Sequence, residues 1–350
     1  MGGKDLSLME LTPKQTRQLI DTEQAFQSWR NARDEFEHGY EGSYAGKMKW
    51  RKRSSGEYLY RIRKDGRELV LGRRSPETEA IKEAYTRQRT RLRERLRRGK
   101  ARLVEMARMN RALRLGRLPR MAAAVIDRLD AEGLLGEHLI VVGTHALYAY
   151  ESAAAVQIDS GLLATRDVDL LWDARNRVRL AALDVPAEDV LALLRDIDAS
   201  FERQRRSFTA QNADGFEVDV VRPLATDEAA FQLKGLGNDA DVAAAAIQGL
   251  QWLVNAPKFE RVVIDDRGQP VRMVTIDPRV FALHKWWLAN EAPDRDPGKR
   301  RRDRPQALVA ARIAQDYLRL PFQARELSAL PLNMAQQAKD LIREAKSATS

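Results

Sequence analysis

The residues best suited to chemistry lie in "LLATRDVDLLWD", residues 162–173. Asp167 and Asp169 stand two positions apart among Leu, Val and Trp. On a strand, residues i and i+2 share one face, so both carboxylates point the same way while Val168 and Leu170 point into a core. Two carboxylates about 6 Å apart repel by roughly 2–3 kcal/mol at an effective dielectric near 20. A divalent cation between them offsets that cost, and Mg²⁺ (or Mn²⁺) takes carboxylates, water and substrate phosphates as ligands. Downstream, "FEVDVVRP" sets Asp219 between two valines on a second strand, with Glu217 on the same face. If that strand lies beside the first, Asp219 completes a three-carboxylate cluster. Such a cluster can hold two Mg²⁺ ions that clamp the attacking and leaving oxygens of an in-line phosphoryl displacement. Upstream, "VVGTHALYAY" puts Gly143 and Thr144 between a buried strand and a helix. The glycine lets a phosphate approach the backbone, the helix N-terminus offers free N–H groups, and Thr144 adds a hydroxyl. A lone D-x-D is commonly a pair of solubility charges on an edge strand; the Gly-Thr turn before it and Asp219 after it favour the metal site.

The order of these parts resembles the DNA polymerase β-like nucleotidyltransferase superfamily. Its three signatures match Val142-Gly143-Thr144, Asp167-Val168-Asp169 and Val218-Asp219-Val220. The wording "GTHALYAYE…ATRDVDLLWD" with "FALHKWW…KRRRD" is similar to a bacterial branch of nucleotidyltransferase-fold proteins, over about residues 120–320. The resemblance implies that Gly143 and Thr144 hold a triphosphate and that Asp167, Asp169 and Asp219 hold the metals. It also implies that Lys285, on a helix after the core, reaches the nucleotide phosphates; the residues alone allow a solvated lysine equally. Two departures stand out. The usual Gly-Ser pair is Gly-Thr here. The 24 positions from Gly143 to Asp167 exceed the usual gap, so "SAAAVQIDSG" is expected to loop out.

Other cations near these motifs have two readings. Arg166, just before the first carboxylate, and Arg222, just after the third, can contact phosphates or pair with nearby acids. Arg301 or Arg302 in "KRRRD" can reach a phosphate or belong to a solvated loop. Trp286 and Trp287 read as packing, His284 as a helix-face histidine, and Glu217 as support for the carboxylates beside it. No G-x-x-x-x-G-K-[ST] pattern is present, which excludes a P-loop in its usual form.

These residues need elements to position them. "HLIVVG" reads as a short buried strand, "THALYAYESAAA" as a helix and "LATRDVDLLW" as a strand. Residues 186–201 read as a helix started by Pro186. "SFTAQN" and "FEVDVVRP" read as two strands joined by the Asp214-Gly215 turn. Helices are expected over 239–254, 278–291, 304–318 and 330–346. A strand pair near 260–276 turns at Asp266-Arg267-Gly268, and a charged loop, "EAPDRDPGKRRRD", joins two of the helices. Upstream, 7–38 reads as a polar helix and 47–72 as three short antiparallel strands with turns at Ser54-Ser55-Gly56 and Lys64-Asp65-Gly66. Ser75 then fits the N-cap, and Pro76 the first position, of a long helix to about Leu115. A further helix covers 120–133.

Charge divides the chain. Residues 47–120 carry 26 Lys and Arg against 8 Asp and Glu, so the remainder of this +10 protein is net acidic. Trp50, Tyr58 and Tyr60 interleave with Lys49, Arg51, Lys52, Arg53, Arg61, Arg63 and Lys64, and "RQRTRLRERLRRGKARL" follows on the long helix. Aromatics beside cations suit nucleic acid, RNA or DNA, through phosphate contacts and stacking; a solvated helix docked on an acidic body is the other reading. With no cysteine there is neither a disulfide framework nor a Cys-based zinc site, and His38, His138, His145 and His284 lack metal-ligand spacing. The absence of an apolar leader or a membrane-length apolar run points to a cytoplasmic protein with no membrane partner.

The expected fold class is α+β: a polymerase β-like mixed sheet with helices, a helical C-terminal domain and a basic N-terminal sheet-and-helix module. The expected divisions are 1–46 for an N-terminal helix, 47–118 for the basic module, 119–235 for the nucleotidyltransferase core and 236–350 for the C-terminal helical domain. The expected function is Mg²⁺-dependent transfer of an NMP from an NTP to an acceptor, RNA (tRNA included) or a protein hydroxyl, with release of pyrophosphate. The rival is a nucleic-acid-binding regulatory protein that keeps the fold without the catalysis.

Overall fold

The computed structural model describes residues 8–38, 44–63, 66–173, 190–204, 208–223, 245–247, 249–293, 295–323 and 325–348. Its strands, numbered along the chain, are β1 Met9–Glu10, β2 Lys47–Arg53, β3 Gly56–Ile62, β4 Glu68–Arg73, β5 Leu139–Val142, β6 Val156–Gln157, β7 Asp167–Trp172, β8 Glu202–Arg203, β9 Thr209–Gln211, β10 Glu217–Pro223, β11 Ala245–Ile247, β12 Lys258–Ile264 and β13 Pro270–Ile276. The chain divides into two units. One holds Arg17–Leu113 with Gly268–Pro270; the other holds Met1–Thr16, Arg114–Arg267 and Val271–Ser350.

In the smaller unit β2, β3 and β4 form an antiparallel sheet in that order. The period-2 pattern puts Leu59 and its pair Trp50 on one face, and Leu59 is fully buried. The helix Pro76–Ala112 follows the sheet. Ser75 accepts from the Thr78 N–H, and the Thr78 hydroxyl accepts from the Ser75 N–H. These reciprocal bonds satisfy two donors that a helix start would otherwise leave open, and Pro76 needs no N–H there. The helix Pro13–His38 adds Leu19 and Phe26 to the core, beside Tyr85, Leu92 and Leu103 of the long helix. Polar groups inside are matched: Gln18 and the Thr22 hydroxyl both donate to Asn110 Oδ1 at 3.0 Å, and Asn110 donates to the Gly268 carbonyl at 2.9 Å.

The larger unit is built on a mixed sheet in the order β5-β7-β10-β9-β8, with β11 also on β10. β7 is antiparallel to β5 and parallel to β10. Both neighbours are needed because β7 is apolar at alternate positions and beyond: Val168, Leu170 and Leu171 are fully buried, as are Val218 and Val220 across the ladder. The hairpin between β9 and β10 closes through Asn212–Gly215, with Gly215 at φ +75°. The helix Pro278–Asn290 follows β13 and packs against the helix Pro297–Arg312. Among the described residues no helix is long and apolar enough to cross a membrane.

Several elements differ from the sequence reading. The charged segment before residue 304 is not a loop: a helix starts at Pro297, because Asp296 accepts from the Lys299 N–H at 3.0 Å and caps it. That helix passes at Ile313–Tyr317 into a wider π turn. Within the expected helix 239–254, Ala245–Ile247 is a strand parallel to β10, and the helix begins only at Leu250. The open ladder positions of β10 at Val221–Pro223 override the helical propensity of the alanine run. The last helix is two, Leu332–Gln336 and Ala338–Ser347. The helix 7–38 begins at Pro13, and β1 before it pairs with β6. "SAAAVQIDSG" is ordered rather than looped out: a helix ends at Ala154, Ala155 turns it at φ +52°, β6 follows, and Asp159 caps a short helix, Ser160–Leu163. Pro186 and Lys64 lie outside the described residues.

Candidate active site

Strand register brings the three aspartates together. In the parallel ladder Glu217 faces Asp167, Val218 faces Val168 and Asp219 faces Asp169. Residues paired across a ladder lie on the same face, so Asp167, Asp169 and Asp219 share one side of the sheet. One ligand oxygen from each lies within 4.8 Å of the others. Hydroxyls orient two of them: Thr209 donates to Asp219 Oδ1 at 2.6 Å, and Thr165 donates to Asp167 Oδ1. Gln211 donates to Glu217 at 2.8 Å, which holds that carboxylate beside the cluster.

Asp169 is the pivot. Burial and the neighbouring Asp167 and Asp219 push its carboxyl up to about 7, against the pull of Lys285 and Lys299. The site therefore favours a proton or another cation over three bare charges. The donor set, hard carboxylate oxygens at short mutual range, fits a divalent ion of the Mg²⁺ or Mn²⁺ kind.

Gly143 has a role that spacing alone did not reveal. Val142 pairs with Asp169 across the β5–β7 ladder, so Gly143 starts directly beside that carboxylate. A Cβ at Gly143 would stand 2.0 Å from Asp169 Oδ2, and the residue has φ +66°. Only glycine gives both the left-handed turn and the room. Residues Gly143–His145 form one 3₁₀ turn that opens the helix Ala146–Ala154. Thr144 is buried, and its hydroxyl accepts from Gln306 Nε2 at 3.2 Å.

The helix Pro297–Arg312 supports the entrance to β7. Gln306 donates to the Leu162 carbonyl at 2.8 Å, and Arg302 donates to the Ala164 carbonyl at 3.2 Å. Lys285 is buried and gives its Nζ to Asp303 Oδ1 at 2.7 Å. Arg295 holds the other oxygen of Asp303 at 2.7 Å. Burial lowers the Lys285 pKa, and Asp303 opposes that shift. Arg166 is exposed, and its guanidinium has no ion-pair partner among the described residues; its carbonyl accepts from the Glu217 N–H at 2.9 Å. Arg222 donates to the Pro223 carbonyl at 3.3 Å. The "KRRRD" segment lies on the helix, not on a loop.

Sequence reasoning missed four contributors. Asp303 and Arg295 restrain Lys285, Gln306 reaches Thr144, and Lys299 acts electrostatically on Asp169. Asp303, Gln306 and Lys299 lie on a helix that starts earlier than the sequence suggests, and Arg295 directly precedes its cap; the Asp296-Pro297 pair was the available signal. His145 was the fifth: it is buried next to the carboxylates, and burial lowers its pKa to about 4 despite Asp167. No local pattern distinguishes it from a surface histidine.

The carboxylates stand on two parallel neighbouring strands, behind a glycine turn that opens a helix, within a mixed α/β fold. Residues 120–331 match the family described as Nucleotidyltransferase, and the chain belongs to that family. The match spans every residue of the carboxylate site and stops short of the smaller unit's sheet and helices. No curated protein and no solved structure matches the chain.

Proposed function

We propose that the protein transfers an NMP from an NTP to an acceptor hydroxyl in a divalent-metal-dependent reaction, releasing pyrophosphate. The observation that carries this reading is the Asp169–Asp219 pairing in the β7–β10 ladder, with Asp167 beside it and an Asp169 carboxyl raised to about 7. Asp167, Asp169 and Asp219 would hold the metal, Mg²⁺ or Mn²⁺. When bound, such an ion supplies charge stabilisation for a developing phosphorane-like transition state.

The chain's own groups do the positioning. The Gly143–His145 turn presents the start of the helix Ala146–Ala154 to the phosphates, where backbone N–H groups and the helix dipole favour anions. Thr144, held by Gln306, adds its hydroxyl there. Arg166 and Lys299, both exposed, would meet phosphate charge directly, and Lys285, fixed by Asp303, would contribute as a buried positive charge acting on Asp169. In the transfer, the acceptor oxygen bonds to the α-phosphorus as the bond to pyrophosphate breaks, and the acceptor's proton passes to Asp219. Thr209 aims Asp219 for that task. The acceptor class is RNA, tRNA included, with a protein hydroxyl as its rival.

The test is incubation of α-labelled NTPs and Mg²⁺ with total RNA and protein, comparing wild type with Asp167→Ala/Asp169→Ala. Label that enters one acceptor pool with the wild type alone supports the reading and names the pool. Equal labelling by both proteins removes the catalytic assignment.

A further inference from the structure

Residues Arg17–Leu113 of the smaller unit lie outside the family match and hold a feature that the transferase reading does not use. A cleft of about 390 Å³ lies between its two helices, floored by Trp29 and Ser28 and walled by Arg91, Arg95, Arg98 and Arg102. Those arginines follow spacings of 4, 3 and 4, which place them on one face of the helix Pro76–Ala112. The row is about 16 Å long at 1.5 Å per residue.

A glycine shapes the cleft. Gly99 sits inside this helix, where glycine costs about 1 kcal/mol relative to alanine. A Cβ there would stand 3.0 Å from Trp29 Cδ1, so its absence lets the helices close beneath the arginine row. Two of the four arginines are engaged at the surface: Arg98 with Glu94 at 2.8 Å, Arg95 with Glu35 at 3.4 Å. Arg91 and Arg102 have no ion-pair or hydrogen-bond partner among the described residues.

We propose that this arginine-walled cleft binds the phosphodiester backbone of a nucleic acid. A guanidinium fork matches a phosphate in a bidentate way, and a row of forks matches a polyanion whose charges repeat along one line. The unit as a whole is suited to that partner, with 26 Lys and Arg against 14 Asp and Glu over residues 17–113. The contacts are with phosphate rather than stacked bases, because the aromatic rings already carry the chain's own cations. Arg33 lies over Trp29 at 5.2 Å, and Arg74 over Trp50 at 5.2 Å. Arg51 lies over Tyr60 at 4.9 Å, and Arg53 over Tyr58 at 5.7 Å. Recognition of this kind is sequence-tolerant and steeply salt-dependent.

The experiment is fluorescence anisotropy with the full chain, without nucleotide or metal, so its failure is separable from failure of the transferase reading. The probes are a labelled 20-base-pair DNA, the same duplex as RNA, a 20-nucleotide single-stranded RNA, and poly-glutamate. Binding of nucleic acid but not poly-glutamate is expected, with log K falling linearly with log salt. Preference among the three nucleic acids assigns the natural form. Arg91→Ala/Arg102→Ala should weaken binding about ten-fold or more and reduce the duplex salt slope by about 2, near 0.9 per lost phosphate contact. Arg97→Ala/Lys100→Ala, exposed cations outside the cleft row, is the control and should change the affinity less than three-fold. No binding by any nucleic acid, equal binding of poly-glutamate, or equal losses in the two variants would each overturn the proposal. Both pairs are solvent-exposed, and a thermal melt verifies that the variants fold.

Discussion

The larger unit handles clustered charge in two opposite ways. At Asp303 a carboxylate that is 1% exposed lies between Lys285 and Arg295, both within 2.7 Å, so like and unlike charges balance inside the protein. At Asp167, Asp169 and Asp219 three carboxylates converge, and Asp169 pays for the crowding with a pKa near 7. The first arrangement is complete when the chain has folded. Under the proposed function, the second would be completed by a divalent ion. Removing a carboxylate should therefore damage stability at one place and activity at the other.

The largest expected effect is at the crowded site. Asp169→Asn should lower NMP transfer by roughly 10³-fold or more, about 4 kcal/mol of transition-state stabilisation. Its melting temperature in EDTA should stay level or rise, because repulsion of the order of 2–3 kcal/mol is relieved. A fall in melting temperature would mean that the cluster is held by its own charges, which would break the contrast. At the balanced site, Asp303→Ala should cost about 3–5 kcal/mol in urea unfolding, since Lys285 and Arg295 lose their shared partner in a buried setting. Unchanged stability there would break the contrast from the other side.

Gly143→Ala sharpens the comparison, because it disturbs the crowded site through the backbone. The left-handed φ and the 2.0 Å approach to Asp169 Oδ2 predict a stability loss of about 2–3 kcal/mol, measured by chemical unfolding, with weaker Mg²⁺-dependent protection against thermal unfolding. The smallest effect concerns His284, next to Lys285. Burial, helped by the Lys285 charge, lowers its pKa to about 3, and its ring stacks on Trp287 at 6.0 Å. The folded state then refuses a proton that the unfolded chain accepts below its ordinary value of 6.5. Stability from this group is present above pH 6.5 and is lost as pH falls from there toward 3. His284→Phe should flatten that part of the profile, seen as a melting-temperature difference between variant and wild type that changes in the variant's favour between pH 7 and pH 4.

Much of the crowded site was legible in the sequence because a strand has a simple period. Alternation fixed the shared face of Asp167 and Asp169, and the valines around Asp219 marked its strand as buried, while only the ladder shows that strand beside β7. The balanced site was not legible. Lys285 and Asp303 are 18 positions apart on two helices, and no local period announces which faces of two helices will meet. The same limit hid Gln306 from Thr144, 162 positions away. Misreading the start of the helix Pro297–Arg312 compounded this, although Asp296 and Pro297 carried a cap-and-first-turn signal. The alanine-rich stretch before Leu250 misled for another reason: composition favours helix there, while an open edge of β10 was available to Ala245–Ile247. The aromatics of the basic sheet were correctly placed among cations, but only the fold shows those cations lying over the rings.

β7 runs between two hydrogen-bonded neighbours, β5 and β10, and carries two of the three aspartates. Amide protons in such an interior strand exchange with solvent only through the rarest, most global openings. Deuterium should reach the Val168–Leu171 amides among the last in the chain. The entropy of ordering these carboxylates is then lost on folding, so under the proposed function ions and nucleotide would come and go while the three side chains keep their places.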